Sequence, residues 1–264
     1  MQPKPIVLDG KPAGSGRFPA ICAPLVGRTQ AQVLQEAEAV AAKRPDIIEW
    51  RVDFFEAIAD SAAVIKTAEG IKRISPDIPI LFTRRSAKEG GEPISISEAQ
   101  VIELYRSLCA SGHVELVDYE MSNEPDHVRE VRELSRTHGV KLILSFHDFD
   151  KTPGIAFLDE CFAAAQRLDA DIAKVAVMPR SMDDVLTLFT ATLNASRTLR
   201  IPVVSMAMGG FGSVSRMCGW AFGSAMTFAV GQSSSAPGQM PIEDIEAGIA
   251  MMQKAFTREP SRSP

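Results

Sequence analysis

The sequence predicts an α/β fold of the (β/α)8, or TIM-barrel, type, on three observations. Eight short apolar runs alternate with helical stretches along the chain. The runs start 24 to 36 residues apart, the length of one strand, one loop and one helix. They are also continuously apolar, as parallel strands covered on both faces are. The 264 residues suit one barrel of roughly 250 residues. The expected organisation is a single barrel domain over residues 1–264, with an N-terminal extension at 1–18 that forms a short hairpin across the barrel bottom and a frayed tail at 258–264.

In order, the runs are AICAPLV from Ala20, DIIEWRVD from Asp46, IPILFTR from Ile78 and VELVDYE from Val114. VKLILSFH follows from Val140, DIAKVAVM from Asp171, IPVVSMAM from Ile201 and AMTFAV from Ala225. Between them, residues 30–43 are rich in Ala, Gln and Glu with no helix breaker. Residues 98–108 follow Ser97, with Gln100 three positions on, the spacing of a capping box. Residues 126–138 set Arg129, Glu130, Arg132, Glu133 and Arg136 around Val128, Val131 and Leu134, which reads as a helix with a solvated charged face.

Composition excludes several classes of function. With 45% apolar and 23% charged residues and a net charge of −5, the chain has neither a basic stripe for nucleic acid nor a polybasic membrane patch. No apolar run approaches the roughly 18 residues of a spanning helix. Residues 1–19 carry prolines, an Asp and a Gly where a secretory apolar core would sit. Cys22, Cys109, Cys161 and Cys218 lie too far apart in sequence for the close spacings of zinc sites and read as buried small apolar residues. They suit a reducing compartment, and the expected location is the cytoplasm.

Polar residues that interrupt a buried strand are the informative ones. Side chains alternate, so Ile48, Trp50 and Val52 share one face while Ile47, Glu49, Arg51 and Asp53 share the other. Glu49 and Arg51 form either a structural ion pair inside the barrel or a polar mouth facing a ligand. Lys174, in DIAKVAVM, shares a face with Ile172 and Ala176, while Ala173, Val175 and Val177 point to the helices. Two readings stand: a lysine snorkelling to solvent, or a desolvated amine that loses its proton readily and attacks carbonyl carbon. His147 closes the fifth run, where it is either a structural hydrogen-bonder or an acid/base facing Lys174 across adjacent strands; His113, His127 and His138 read as structural. TRRSAKEGGE supplies Arg84, Arg85 and Glu89 after the third run, at the barrel end that carries chemistry. MGGFGSVSRMCGWAFG after the seventh offers backbone N–H groups and Arg216 to a carboxylate or phosphate. SSSAPGQ after the eighth is long enough to be a lid.

Six collinear segments resemble type I 3-dehydroquinate dehydratases over residues 20–257: EWRVD (49–53), RSAKEGGE (85–92), SFHDF (145–149), IAKVAVMP (172–179), MAMGGFGSVSR (206–216) and SAPGQ (235–239). The resemblance implies a Schiff-base hydro-lyase that dehydrates 3-dehydroquinate by syn elimination. It further implies a cyclic keto acid as small-molecule substrate, no cofactor and no metal, and a homodimer. It assigns imine formation to Lys174, acid/base work to His147 and the paired carboxylate to Glu89. It gives the ring hydroxyls to Glu49, Arg51 and Arg85, the substrate carboxylate to Arg216, Ser235 and Gln239, and the pocket walls to Met206, Met208 and Phe228. Two departures from the family it resembles are Ala23, where some members carry a ligand-bonding serine, and Gly210, where many have lysine. A class I aldolase or transaldolase shares the lysine chemistry but needs a phosphate site; a barrel that only senses ligands would be expected to have lost Lys174 or His147.

Overall fold

The computed structural model describes residues 3–13 and 18–257. The expected frayed tail and part of the N-terminal extension lie outside them. Eight parallel strands run in the order expected: β3 (Ala20–Leu25), β4 (Ile47–Arg51), β5 (Ile80–Thr83), β6 (Leu116–Glu120), β7 (Lys141–Asp148), β8 (Ile172–Val177), β9 (Val203–Ala207) and β10 (Met226–Phe228). From β3 to β9 each pairs with the next, and β10 pairs with β3. Between β9 and the residues leading into β10 the seam is thin. It is held by the Ala225 N–H donating to the Val203 carbonyl at 2.8 Å and the Ser205 N–H donating to Ser224 Oγ at 3.0 Å.

A helix follows each strand: α1 (Gln30–Ala42), α2 (Ser61–Ile74), α3 (Glu98–Ser111), α4 (Pro125–Thr137), α5 (Ile155–Arg167), α6 (Met182–Thr198), α7 (Gly209–Cys218) and α8 (Ile242–Thr257). The capping box of Ser97 and Gln100 is present at α3, which runs a turn beyond residue 108 before Gly112 ends it in the left-handed region. Thr29 and Gln32 form a second box at α1. In α4, Val128, Val131 and Leu134 are buried, and Arg132 reaches Asp171 at 2.5 Å below β8.

Strand alternation divides the apolar residues into two cores. Ile48, Trp50, Phe82, Val117, Ala173 and Val175 pack outward against the helices. An aromatic ladder runs through this layer, Trp50 to Phe82 to Tyr105 to Tyr119, with edge-on ring centroids 5.4–5.6 Å apart. Cys22, Ile47, Leu81, Leu116, Ile143, Ile172, Val204 and Met226 fill the barrel. The expected hairpin is β1 (Val7–Leu8) with β2 (Lys11–Pro12), antiparallel. Ile6 joins the inner core, with Leu8 and Ala13 packed against it, so the hairpin plugs that end.

Two expectations need correction. Ala23 belongs to the outward core with Ile21 and Leu25. Alternation instead puts Pro24 on the inner face, paired in register with Glu49, so a serine-to-alanine difference at 23 does not reach a ligand. The cysteines are free, but only Cys22 and Cys109 are buried; Cys161 and Cys218, on α5 and α7, are half-buried.

Phe82 is fully buried between two rings of the ladder. Phe82→Ala should lower unfolding free energy by about 3–5 kcal/mol, read as a shifted urea midpoint at unchanged m-value; a change under about 1 kcal/mol would show that the ladder closes over the gap.

Candidate functional site

Above its apolar floor the barrel interior turns polar. The inward positions that follow Ile47, Leu81, Leu116, Ile143 and Ile172 are Glu49 and Arg51, Thr83, Asp118 and Glu120, Ser145 and His147, and Lys174. Parallel strands all present their carboxyl ends on one side, so these groups gather at one mouth. They open on a cavity at that mouth. Every expected site residue except Glu89 lines it: Lys174, His147, Glu49, Arg51, Arg85, Met206, Met208, Arg216, Phe228, Ser235 and Gln239.

Lys174 is 3% exposed and does not snorkel. Its Nζ donates to Asp118 Oδ2 at 2.9 Å and lies 4.7 Å from the centre of the Phe228 ring. The amine expected to sit uncharged among apolar groups therefore sits in an ion pair. Burial alone would raise the Asp118 carboxyl, but Arg85, then Lys174, outweigh it and hold it well below the usual carboxylate range. The Arg85 guanidinium donates to Asp118 Oδ1 at 2.8 Å and to Glu120 Oε1 at 3.0 Å. The intervening carboxylate attracts both cations.

Behind His147 stands Glu89. It ends a 3-10 turn, Ala87–Glu89, and Gly90 after it takes φ +83° against Phe149, where any Cβ would collide. Glu89 Oε2 accepts the His147 backbone N–H at 3.0 Å and lies 2.8 Å from His147 Nδ1, leaving Nε2 as the second ring nitrogen. Oε1 accepts the Ser122 hydroxyl at 2.5 Å. Burial, then the Glu120 carboxylate, push the Glu89 carboxyl up to about 7. Burial, helped by Arg85 and Lys174, pulls His147 well below its ordinary value. Both shifts favour an uncharged imidazole near neutral pH, the form that can accept a proton. In register His147 lies one inward layer above Lys174, which pairs with Ser145.

Around the rim, Arg51 grips Asp53 with Nε and Nη2 at 2.8 and 2.7 Å. Its Nη1 donates to the Ser235 carbonyl at 3.3 Å, tying the loop after β10 to β4. Thr83 donates to Glu49 at 2.9 Å. Gln239 Oε1 accepts the Ser235 N–H at 2.9 Å, and Gly238 crosses the Gly209 backbone at φ +77° with no room for a Cβ. Arg216, 1% exposed, donates only to the carbonyls of Phe228 and Pro237, at 3.3 and 3.2 Å. Among the described residues it has no carboxylate partner and its Nε is unsatisfied; burial pulls it down to about 10. Arg84 leaves the site altogether, pairing with Glu98 on α3. Gly210 has open space around it.

Sequence reasoning missed Asp118, Glu120, Ser145, Ser122 and Thr83, and left Asp53 without a partner. Most were within reach of alternation. In VELVDYE it puts Leu116, Asp118 and Glu120 on one face, and in SFHDF it puts Ser145 with His147.

Fold and site together define a (β/α)8 enzyme with a buried strand lysine, a histidine–carboxylate pair and an anion-seeking arginine around one closed mouth. The model of the type I 3-dehydroquinase family matches residues 21–255. A 3-dehydroquinate dehydratase of Albidiferax ferrireducens is 54% identical over 96% of both chains, and one of Geobacillus thermodenitrificans is 51% identical over 90% of this chain and 93% of its own. The crystal structure of 3-dehydroquinate dehydratase from Geobacillus kaustophilus superposes with a TM-score of 0.93 at 47% identity, covering 98% and 99% of the two chains. The chain belongs to the type I 3-dehydroquinase family.

The Ser122 hydroxyl favours the Glu89 carboxylate, so its removal should raise the midpoint of that group. Titration of 13C-labelled glutamate in the wild type should show one residue with a midpoint near 7, moving higher in Ser122→Ala. A Glu89 midpoint in the ordinary carboxylate range, or one that does not move, would remove Ser122 from the site.

Proposed function

We propose that Lys174, His147 and Glu89 carry the reaction of this chain and that Arg216 orients its substrate. The reaction is that of the family, the dehydration of 3-dehydroquinate to 3-dehydroshikimate through a lysine Schiff base, a hydro-lyase step of the shikimate pathway. The observation that carries the residue assignment is the juxtaposition, on one cavity, of the buried Lys174 amine, the Glu89-backed imidazole and an Arg216 guanidinium that has no carboxylate partner among the described residues.

The α-proton of a ring ketone is too weakly acidic for imidazole to remove unaided. Lys174 condenses with the C3 ketone, and the resulting iminium serves as an electron sink. His147 removes the C2 proton to give an enamine, which expels the C1 hydroxyl; His147 returns its proton to that oxygen, so water leaves. One base serving both steps on one face gives syn elimination, and hydrolysis of the product imine frees the lysine. The covalent imine supplies the polarisation that a Lewis acid would otherwise give, so the scheme calls on no metal or organic cofactor. Glu89 holds the imidazole by Nδ1 and presents Nε2 to the substrate.

Arg216 lacks a counter-ion, a costly condition for a buried cation. A substrate carboxylate relieves it, and bidentate pairing fixes the ring. Ser235 and Gln239 complete that end from the lid, while Glu49, Arg51 and Arg85 face the hydroxyls and Met206, Met208 and Phe228 pack on the ring. The observations favour a carboxylate over the phosphate of an aldolase: the Gly209 N–H at the start of α7 is taken by the Pro237 carbonyl at 3.2 Å. The crystal structure from Clostridium difficile, 36% identical with a TM-score of 0.90 over 96% and 99% of the chains, holds a covalently modified comenic acid, which supports a covalent route. No helix among the described residues is long and apolar enough to cross a membrane. A single barrel domain, a cytoplasmic location and a homodimer complete the proposal, supported by the free cysteines and by the family.

Sodium borohydride added with 3-dehydroquinate should leave a reduced adduct on the Lys174 peptide, seen by mass spectrometry. Lys174→Ala should give neither adduct nor turnover. His147→Ala should still form the adduct, with kcat lower by about 10²–10⁴-fold. An unmodified Lys174 peptide in the wild type would refute the scheme, and full turnover in His147→Ala would refute the role of the imidazole.

A further inference from the structure

Among the described residues, each cation at the mouth has its own carboxylate, except Arg216. Arg51 has Asp53, Arg85 has Glu120 and shares Asp118, and His147 has Glu89. Lys174 has Asp118. That last pair joins strands separated by β7, and both side chains are almost completely buried. The two oxygens of Asp118 have different duties. Oδ1 accepts Arg85 Nη2 at 2.8 Å and Ser145 Oγ at 2.6 Å, while Oδ2 accepts Lys174 Nζ at 2.9 Å. The backbone carbonyl of the same residue accepts Tyr105 Oη at 2.6 Å. Asp118 is thus held at three points and cannot follow the lysine; the lysine is held by it.

We propose that the Asp118 carboxylate is the counter-ion of the reacting nitrogen before and after condensation, positioning the Lys174 amine for the substrate ketone and then accepting the N–H of the iminium. This inference rests on Lys174 being the imine-forming amine. The charge balance fits a fixed anion. An ammonium and a ketone give an iminium and water: a C–N bond forms, the C–O bond breaks, and two of the three nitrogen-bound protons leave with the oxygen. The third stays on nitrogen. Nitrogen therefore carries one positive charge and at least one N–H at both ends of the step, and one buried carboxylate matches it at both. Only in between, when the lone pair attacks, does the nitrogen give up its charge, with the proton passing to the substrate oxygen or to His147. A preorganised anion at the place where the iminium charge appears needs no reorganisation as the bond forms.

Borohydride trapping in single-turnover mode separates this inference from the reading beneath it. If wild-type protein gives no adduct on Lys174, the imine reading itself fails. With the wild type trapped, Asp118→Asn should form the adduct about 100-fold more slowly, and kcat should fall in parallel. The Kd for quinate, a cyclic hydroxy acid with no ketone to condense, should change by less than about threefold. Adduct formation at the wild-type rate in Asp118→Asn overturns the proposal, as does a loss of quinate binding that accounts for the slower rate. Thermal melting and far-UV circular dichroism establish that the variant is folded. Ser145→Ala keeps both ion pairs but removes one donor that locks Oδ1; it should slow adduct formation by about fivefold with quinate binding unchanged. Should Asp118→Asn fail to fold, trapping of Ser145→Ala at the wild-type rate overturns the proposal.

Discussion

Placing an amine in the middle of a closed barrel is expensive unless an opposite charge is buried with it, because desolvating an isolated ammonium costs several kcal/mol. Asp118 meets that requirement for Lys174, and Arg85 with Ser145 meets the corresponding requirement for Asp118. The chain of charges then runs outward through Glu120 and towards Glu89 and His147. Removing one member strands its neighbours in a low-dielectric interior, so the network behaves as a unit. This explains how so many charged groups can be buried at the mouth. They neutralise one another and hold one nitrogen and one imidazole in register.

The barrel makes this arrangement possible by separating two tasks along each strand. At its floor the inward residues are Cys22, Ile47, Leu81, Leu116, Ile143, Ile172, Val204 and Met226, a dry core that contributes stability. Two residues further on, four of the same strands offer Glu49, Thr83, Asp118 and Ser145, with Lys174 at that level on the fifth. A pleat with a period of two lets one face change character while the other, from Trp50 to Val175, stays apolar against the helices. The same hydrogen-bonded ladder that stabilises the fold therefore sets spacings in the site. Lys174 pairs in register with Ser145, and Ser145 donates to the carboxylate that holds Lys174.

Much of this was legible in the sequence, for a physical reason. Strand spacing, the capping box at Ser97 and the inward faces of Glu49, Arg51 and Lys174 all follow from local periodicity, which tertiary context did not override. Asp118 and Glu120 were legible by the same rule, but their run also contains Val117 and Tyr119 and reads as a plain buried strand unless its inward face is taken alone. Ser122 was not legible: it lies in a loop, and only the fold brings it to Glu89. The Asp118 partner of Lys174 was overlooked because desolvation is a property of one residue and its chain neighbours, whereas the ion pair depends on a strand two places away. Ala23 was singled out by resemblance alone; alternation, which puts Pro24 and not Ala23 on the inner face, was not applied to that run.

Among the described residues, Arg216 is the one cation of the mouth without a carboxylate, and its position links the cavity to the loop after β10. Its two terminal nitrogens rest on the carbonyls of Phe228 and Pro237, one in β10 and one in the loop after it, and Arg51 holds the same loop through the Ser235 carbonyl. Carbonyl dipoles offset only part of what a buried guanidinium loses on leaving water. In the proposed role of Arg216, an incoming carboxylate completes the compensation, against a side chain already in contact with the loop after β10 that lines the cavity. A neutral ring of the same shape would leave Arg216 as poorly satisfied as before, so discrimination for acids arises from the protein's own unbalanced charge more than from the fit of the walls.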